Sequence, residues 1–125
     1  MSDLNWRELA EAAGLDCEGK TIRVAFKSGR SHKVKIIENE QGLLARAIAV
    51  NAANLNESGV IAEHLWRRNR SLQLVGLRID DRGRLVAEAW LPTAGLTSEE
   101  FAVYVQAVAA EADRMEFWLT GEDVE

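Results

Sequence analysis

The stretch from Gly14 to Thr21 is the part of this sequence that most resembles a known chemical motif. It matches the pattern G-x-x-x-x-G-K-[ST] at every fixed position. In a phosphate-binding loop of that pattern, backbone N–H groups wrap the phosphates, the lysine reaches the outer oxygens, and the hydroxyl contacts magnesium. The chemistry also needs a strand before the loop and a helix after it, because a helix N-terminus attracts the anion.

The elements around this stretch are predicted in the opposite order. Apolar residues at helical spacing indicate a helix that begins after Asn5 and stops at Gly14, and an alternating pattern indicates a strand from Lys20 onwards. Asp16 and Glu18 would also place negative charge inside the phosphate cradle. We interpret the match as a turn between a helix and a strand. Nucleotide binding by this stretch stays open as an alternative function.

Residues that could ligate a metal or act as a nucleophile are few and scattered. Cys17, His32 and His64 are the only cysteine and the only histidines, and they show no ligand-like spacing. Neither a G-x-S-x-G nor an H-E-x-x-H motif occurs. We therefore predict no catalytic residues, no metal and no cofactor, and we do not expect an enzyme.

Composition bounds the class of protein. The chain has 125 residues, of which 47% are hydrophobic and 28% are charged, and its net charge is −5. This length suits one domain with a single core, expected to cover residues 1–125. No apolar run approaches the roughly 20 residues that a membrane helix needs, and the start of the chain lacks the features of a signal peptide. We expect a cytoplasmic protein without a membrane partner.

One local region departs from the acidic balance. A predicted hairpin places four basic side chains on one sheet face: Arg23, Lys27, Lys33 and Lys35. Such cations could contact nucleic-acid phosphates. However, Phe26 is predicted on the opposite face, so aromatic side chains for base stacking are missing there. We rank three interpretations of this face: a solvated face first, a contact with an acidic protein partner second, and nucleic-acid binding third.

Periodicity predicts eight elements in the order α-β-β-β-α-β-β-α. The second helix is expected to begin at Asn56 or Ser58, since both are good N-cap residues. Thr97 and Glu100 form a capping box before the last and longest helix. The strands are predicted from Lys20 to Phe26, around Val34 and Ile36, from Leu43 to Val50, from Leu72 to Ile79 and from Arg84 to Leu91. We therefore predict an α+β domain in which a largely antiparallel five-stranded sheet packs against helices.

The last hairpin and the last helix carry the clearest patterns. In the hairpin, Gly83 suits a left-handed turn position, and a register that pairs Ile79 with Leu85 puts an apolar set on one side. The last helix presents a core stripe at steps of four and three residues. Its members are Phe101, Val105, Val108, Ala112, Met115 and Leu119.

Several large apolar residues are left outside this predicted core. Leu74, Val86 and Trp90 mark the opposite side of the last hairpin, and Trp66 in the second helix has no obvious place in so small a core. Tryptophan is favoured where protein surfaces bind each other. These residues are covered either by a helix of the same chain or by a partner, and both interpretations stay open.

Several motifs in the second half of the chain belong together. They are Leu65-Trp66-Arg67-Arg68-Asn69, the strand and turn from Leu74 to Leu85 with Asp80-Asp81-Arg82-Gly83, Trp90-Leu91-Pro92, Gly95-Leu96-Thr97-Ser98-Glu99-Glu100-Phe101, and Ala112-Asp113. With these motifs and this element order, the chain resembles the YbjN-like family and, more broadly, the type III secretion chaperone-like fold.

This resemblance implies a non-enzymatic homodimer that binds an extended stretch of another protein along hydrophobic patches. Family members tend to dimerise through the middle helix and the last strands. Four residues thereby become candidates for contact with a partner or a second copy: Trp66, Leu74, Val86 and Trp90. We thus expect a protein-binding module of chaperone-like or regulatory type, with nucleic-acid binding by the first hairpin as a further alternative.

Overall fold

The computed structural model describes residues 5–40, 42–59 and 62–120. No helix within these ranges is long and apolar enough to cross a membrane. The described elements are α1 (Trp6–Ala12), β1 (Asp16–Glu18), β2 (Thr21–Ala25), β3 (Ser31–Asn39), β4 (Gly42–Val50), α2 (Ala52–Ser58), α3 (Ala62–Asn69), β5 (Gly76–Ile79), β6 (Leu85–Leu91) and α4 (Ser98–Thr120).

The strands form one antiparallel sheet in the order β1-β2-β3-β4-β6-β5. Helices pack against this sheet, so the predicted α+β class is confirmed. The described sheet has six strands instead of the predicted five because β1 adds to β2 at one edge. β1 is only three residues long and has no apolar alternation, so periodicity gives no signal for it.

The predicted second helix is in fact two helices, and its predicted start is wrong. Asn51 caps α2, since its side-chain oxygen accepts the N–H of Asn54 at 2.8 Å. The candidate caps Asn56 and Ser58 lie inside α2 instead. Gly59 ends this helix with a left-handed φ of 77°. Asparagine and serine are both good caps, so the residue type alone does not choose among these positions.

β5 starts at Gly76, later than predicted, and a side chain at the end of α3 is hydrogen-bonded to this edge strand. Asn69 accepts the N–H of Leu77 at 2.7 Å and donates to the Leu77 carbonyl at 2.9 Å. Within the shorter strand the predicted register is confirmed, with Ile79 opposite Leu85. The Asn69 side-chain amide thus makes the pair of hydrogen bonds that the backbone of a neighbouring strand would make, and it fixes α3 beside the sheet.

α4 is the predicted last helix, and it covers the middle of the sheet. Its capping box forms as predicted: Thr97 Oγ1 accepts the N–H of Glu100 at 3.1 Å, and Glu100 Oε1 accepts the N–H of Thr97 at 3.2 Å. The predicted stripe is buried from Phe101 to Met115, and Leu119 is partly buried at its end. Both the start and the inner side of this helix therefore follow from local sequence.

The sheet below α4 is lined with alanines at its centre. Ala45 lies opposite Ala89, Ala47 lies opposite Ala87, and all four are buried. Small side chains at facing positions let the larger side chains of the stripe interdigitate with the sheet. The helix therefore sits directly over β4 and β6.

Replacing Thr97 with alanine tests the cap of α4. In Thr97→Ala the N–H of Glu100 loses its acceptor, so we expect the free energy of unfolding to fall by about 1 kcal/mol. Urea denaturation followed by circular dichroism measures this loss. Ser98→Ala, at the first residue of the helix, is the matched control and should cost less than about half as much. Equal losses in both variants would contradict the role of Thr97.

Candidate functional site

The sheet has one face covered by helices and one open face. The covered face carries strand residues such as Ile22 and Ala45, which belong to the same core cluster as the stripe of α4. Side chains alternate between faces along a strand. Leu44 and Val86 therefore lie on the opposite face, and they are buried outside that core cluster. Trp90 on this face is exposed to solvent, and we call it the open face.

One row of side chains across the open face is apolar. Ile37 of β3 lies opposite Leu44 of β4, and Leu44 lies opposite Trp90 of β6. Trp90 keeps 54% of its surface exposed. We call these three residues the apolar row.

A charged row lies beside the apolar row, two residues further along each strand. Lys35 lies opposite Arg46, and Arg46 lies opposite Glu88. Glu88 accepts a hydrogen bond from Arg46 Nε and two from Arg78 of β5, at 2.8 and 3.0 Å. Burial raises the pKa of Glu88, but these hydrogen bonds outweigh it, so this pKa lies below its usual range. Glu88 stays charged and holds both arginines.

The open face forms a basic groove with a volume of about 860 Å³. Its lining extends from β2 to the turn between β5 and β6. Six basic side chains and only two acidic ones line it, although the net charge of the chain is −5. We define the basic groove by its cations: Lys33, Lys35, Arg46, Arg78, Arg82 and Arg84.

The predicted basic face of the first hairpin supplies part of this groove. Lys33 lies opposite Arg23, and Lys35 lies on the same face of β3. Phe26 packs against the core, as predicted from its opposite orientation. Lys27 is the exception, because it lies in the turn between β2 and β3 and not on the sheet face. The sequence pattern therefore located the cations of the strands but not the one at the turn.

Three of the four predicted contact residues are exposed, and they occupy separate places. Trp66 is 60% exposed on α3, with the Arg70 guanidinium 5.1 Å from the centre of its ring. Leu74 is 44% exposed before β5, beside Val103 of α4. Trp90 ends the apolar row. The predicted register of Ile79 with Leu85, continued along both strands, would place Leu74 opposite Trp90, but β5 begins only after Leu74, so this pair does not form.

Val86 lies on the predicted face but is fully buried, with 0% of its surface exposed. Its cross-strand neighbours are Ile48 and Arg78, and Glu88 follows two residues along the same strand. Longer side chains with aliphatic stems can cover a short valine between them. Val86 is therefore packed beneath the longer side chains of the open face, and it has no exposed surface that a partner could contact.

The stretch that matches the phosphate-binding pattern lacks the surroundings that nucleotide chemistry needs. It contains β1 and ends at Thr21, the first residue of β2. Because Thr21 begins a strand, no helix dipole in the described structure follows the loop to face a phosphate. Arg7 of α1 donates to the carbonyl of Gly19 at 2.7 Å. The arrangement is the predicted connection between a helix and a hairpin.

The sequence matches the family model YbjN, described as "Putative bacterial sensory transduction regulator", over residues 1–120. The chain belongs to the YbjN family. The resemblance inferred from the motifs of the second half is thus confirmed and extends to the first half. No curated protein matches the sequence.

Solved structures share the fold of this YbjN-family chain at low sequence identity. YbjN from E. coli is 19% identical, with a TM-score of 0.58 over 95% of this chain and 89% of that chain. The Yersinia pestis type III secretion chaperone SycH is 14% identical, with a TM-score of 0.56 over 87% and 94%. The ExsC–ExsE complex contains a chain that is 21% identical, with a TM-score of 0.53 over 90% and 91%. The type III secretion chaperone-like fold is confirmed.

A cluster that sequence reasoning missed joins the first hairpin of this YbjN-family protein to α4. Arg30 donates two hydrogen bonds to Asp113, at 2.9 and 2.8 Å. His32 Nε2 lies 3.0 Å from Glu116 and 3.4 Å from Asp113. The possible ligand atoms of these last three residues lie within 4.8 Å of one another. Because the Arg30 guanidinium already neutralises Asp113, we interpret the cluster as an ionic link between hairpin and helix.

The ionic link predicts a pH dependence of stability. Hydrogen bonds from Arg30 lower the pKa of Asp113, against the smaller opposing effect of burial. A carboxyl with a lowered folded-state pKa contributes stability above its unfolded pKa, and this contribution is lost as pH falls through the folded pKa. We therefore expect the unfolding free energy to fall from about pH 5 downwards. The variant Asp113→Asn should be less stable at neutral pH and lose less on acidification.

Urea denaturation at stepwise pH values measures both effects. Asp81→Asn removes an exposed carboxyl from the turn between β5 and β6, and it serves as the control that should keep the wild-type slope. If wild type and Asp113→Asn lost stability with the same slope, the ionic link would have no part in acid sensitivity.

Proposed function

We propose that this protein is a non-enzymatic protein-binding module of chaperone-like or regulatory type that acts as a homodimer. The observation that carries the proposal is the exposure of large apolar side chains, which include Trp66, Leu74 and Trp90. Leaving such surface in water forgoes about 25 cal/mol for each Å² that a partner could bury. Tryptophan is also over-represented among the residues that dominate binding energy at protein interfaces.

Proteins of similar fold support the same class of function. ExsC forms a complex with ExsE, SycH with a fragment of YscM2, and SchA with HopA1 in a chaperone-effector complex. Each of these structures joins a protein of this fold to another protein. We infer the same kind of activity for this chain, with a partner of its own.

The contact candidates divide between two surfaces. Trp66 is carried by α3, which is held to α4 by two hydrogen bonds from Arg68 to Glu111, at 2.9 and 3.0 Å. The tryptophan is thus presented on a fixed helix, as a self-complementary dimer contact requires. Leu74 lies beside α4 and Trp90 on the open face. We assign Trp66 to the dimer and Leu74 and Trp90 to the partner.

The dimer predicts a selective effect of Trp66→Glu. Sedimentation equilibrium should give a dimer for the wild type and a monomer for this variant, because an unpaired charge is costly to bury in an apolar contact. Val103→Glu is the control, since Val103 on α4 is 52% exposed beside Leu74 and away from α3, and it should stay dimeric. A monomeric wild type, or dissociation of both variants, would rule out a dimer through α3.

Partner binding predicts a different pattern. Tagged wild type and Trp118→Glu should retain at least one protein from the native host lysate, and the double variant Leu74→Glu/Trp90→Glu should lose it because both apolar contacts become charged. Mass spectrometry identifies the retained proteins, and circular dichroism shows that each variant is folded. The same retained set for all three forms would refute the assignment of Leu74 and Trp90.

A further inference from the structure

We propose that the basic groove and the apolar row together bind an extended segment of a partner protein whose sheet-facing side chains are one apolar residue followed by two acidic ones. This inference rests on the proposed protein-binding function and adds the chemistry of the bound segment. It follows from the charge, the rigidity and the spacing of the open face.

The groove has more positive charge than its own carboxylates neutralise. Arg46 and Arg78 share one carboxylate, that of Glu88. Lys33 and Lys35 are exposed, and neither has an ion pair with any residue in the described part of the chain. A ligand with two carboxylates would supply partners to these lysines and to the shared arginines. Charge-assisted hydrogen bonds of this kind are about twice as strong as neutral ones.

The arginines are held in position before a ligand arrives. Glu88 fixes Arg46 and Arg78 from two neighbouring strands. At the turn, buried Asp80 accepts the side-chain N–H of Arg84 at 2.8 Å and its backbone N–H at 2.8 Å. A guanidinium that is already ordered loses less conformational entropy when a second carboxylate binds it. The groove therefore offers carboxylates guanidinium groups in fixed positions, in addition to its general attraction for negative charge.

The two rows set the spacing of the bound segment. Side chains on one face of a strand are about 6.8 Å apart, and an extended peptide has nearly the same repeat. Along β3 the open face presents Ile37, Lys35 and Lys33 in that order. A peptide running antiparallel to β3 with an apolar side chain against the apolar row thus brings its next two facing side chains to Lys35 and then Lys33.

A peptide fits this face better than a nucleic acid does. Carboxylates of Asp80, Asp81 and Glu88 lie among the cations and would repel a continuous row of phosphates. The net charge of −5 also disfavours a polyanion more than a short peptide. Among the described residues, those lining the groove include no aromatic side chain, and Trp90 of the neighbouring apolar row is a single one, whereas stacking of successive bases uses several. An acidic peptide with an apolar residue uses the whole face.

Fluorescence anisotropy with a designed peptide tests the inference. The probe is a labelled peptide of about eight residues, roughly 26 Å long when extended, with Leu, Glu and Glu at alternate positions. A second probe carries Lys in place of both Glu residues, and a third is a short oligo-dT. The groove variant is Lys33→Glu/Lys35→Glu. Its control, Lys20→Glu/Lys27→Glu, changes the net charge equally at two lysines outside the groove.

The expected result is binding of the acidic peptide to wild type and control, with affinity that falls as salt rises. The groove variant should bind it at least about tenfold more weakly, and the lysine peptide should not bind. No binding of the acidic peptide would overturn the inference, as would equal losses in both variants. Oligo-dT binding that the groove variant abolishes would overturn it in favour of nucleic acid.

Sedimentation of the groove variant separates this inference from the dimer. We expect Lys33→Glu/Lys35→Glu to stay dimeric, and conversion to a monomer would overturn the inference by assigning the groove to a second copy. If the acidic peptide fails to bind while capture of a host protein still depends on Leu74 and Trp90, only the inference fails. If that capture fails as well, the proposed function fails with it.

Discussion

The close packing of α4 on the alanines of β4 and β6 is the contact on which the rest of the structure depends. The side chains at the centre of the covered face are small, so the larger residues of the stripe that starts at Phe101 pack closely against the sheet. These small residues are Ala45, Ala47, Ala87 and Ala89. A helix of 23 residues is about 34 Å long. Six strands span roughly 24 Å. One helix is therefore long enough to pack on β2, β3, β4 and β6, while α1 and α3 pack against the edge strands β1 and β5 on the same covered face.

The open face must then hold itself together without a helix. Apolar and ionic contacts both stabilise it. Leu44 is buried between Ile37 and Trp90. Glu88 accepts hydrogen bonds from Arg46 and Arg78, which lie on the two strands beside β6. Removing a carboxylate such as Glu88 would leave two guanidinium groups side by side, because each of them is oriented by that residue. The same ion network that stabilises the face thus sets where its positive charge lies.

Local patterns predicted those parts of the structure that depend on local interactions. The stripe and capping box of α4, the left-handed Gly83 (φ 79°) and the register of β5 with β6 all follow from residues near one another in sequence. For Trp66 the sequence showed only that no core position suits it, and left open whether a helix of the same chain covers it; in the structure it is 60% exposed. Five strands were predicted instead of six because β1 has no periodicity.

Features that depend on distant residues were not predictable in this way. The burial of Val86 is decided by Ile48 and Arg78 on neighbouring strands. The link between Arg30 and Asp113 joins positions 83 residues apart. The basic groove combines cations from the first hairpin, whose pattern favours a solvated face, with cations from the last hairpin, whose outer side is marked in the sequence by its apolar residues. Only the strand order, with β4 between the two hairpins, brings them together.

Fold and recognition are carried by different residues in this chain. The motifs that signal the family, such as Thr97 with Glu100 and the turn from Asp80 to Gly83, fix helix starts and strand pairing. The open-face side chains contribute little to those local geometries, so they can differ while the backbone stays the same. This explains how a common fold persists at 14–21% identity. In this chain the residues that define the architecture are thus separate from those that define the charge and apolar surface of the open face.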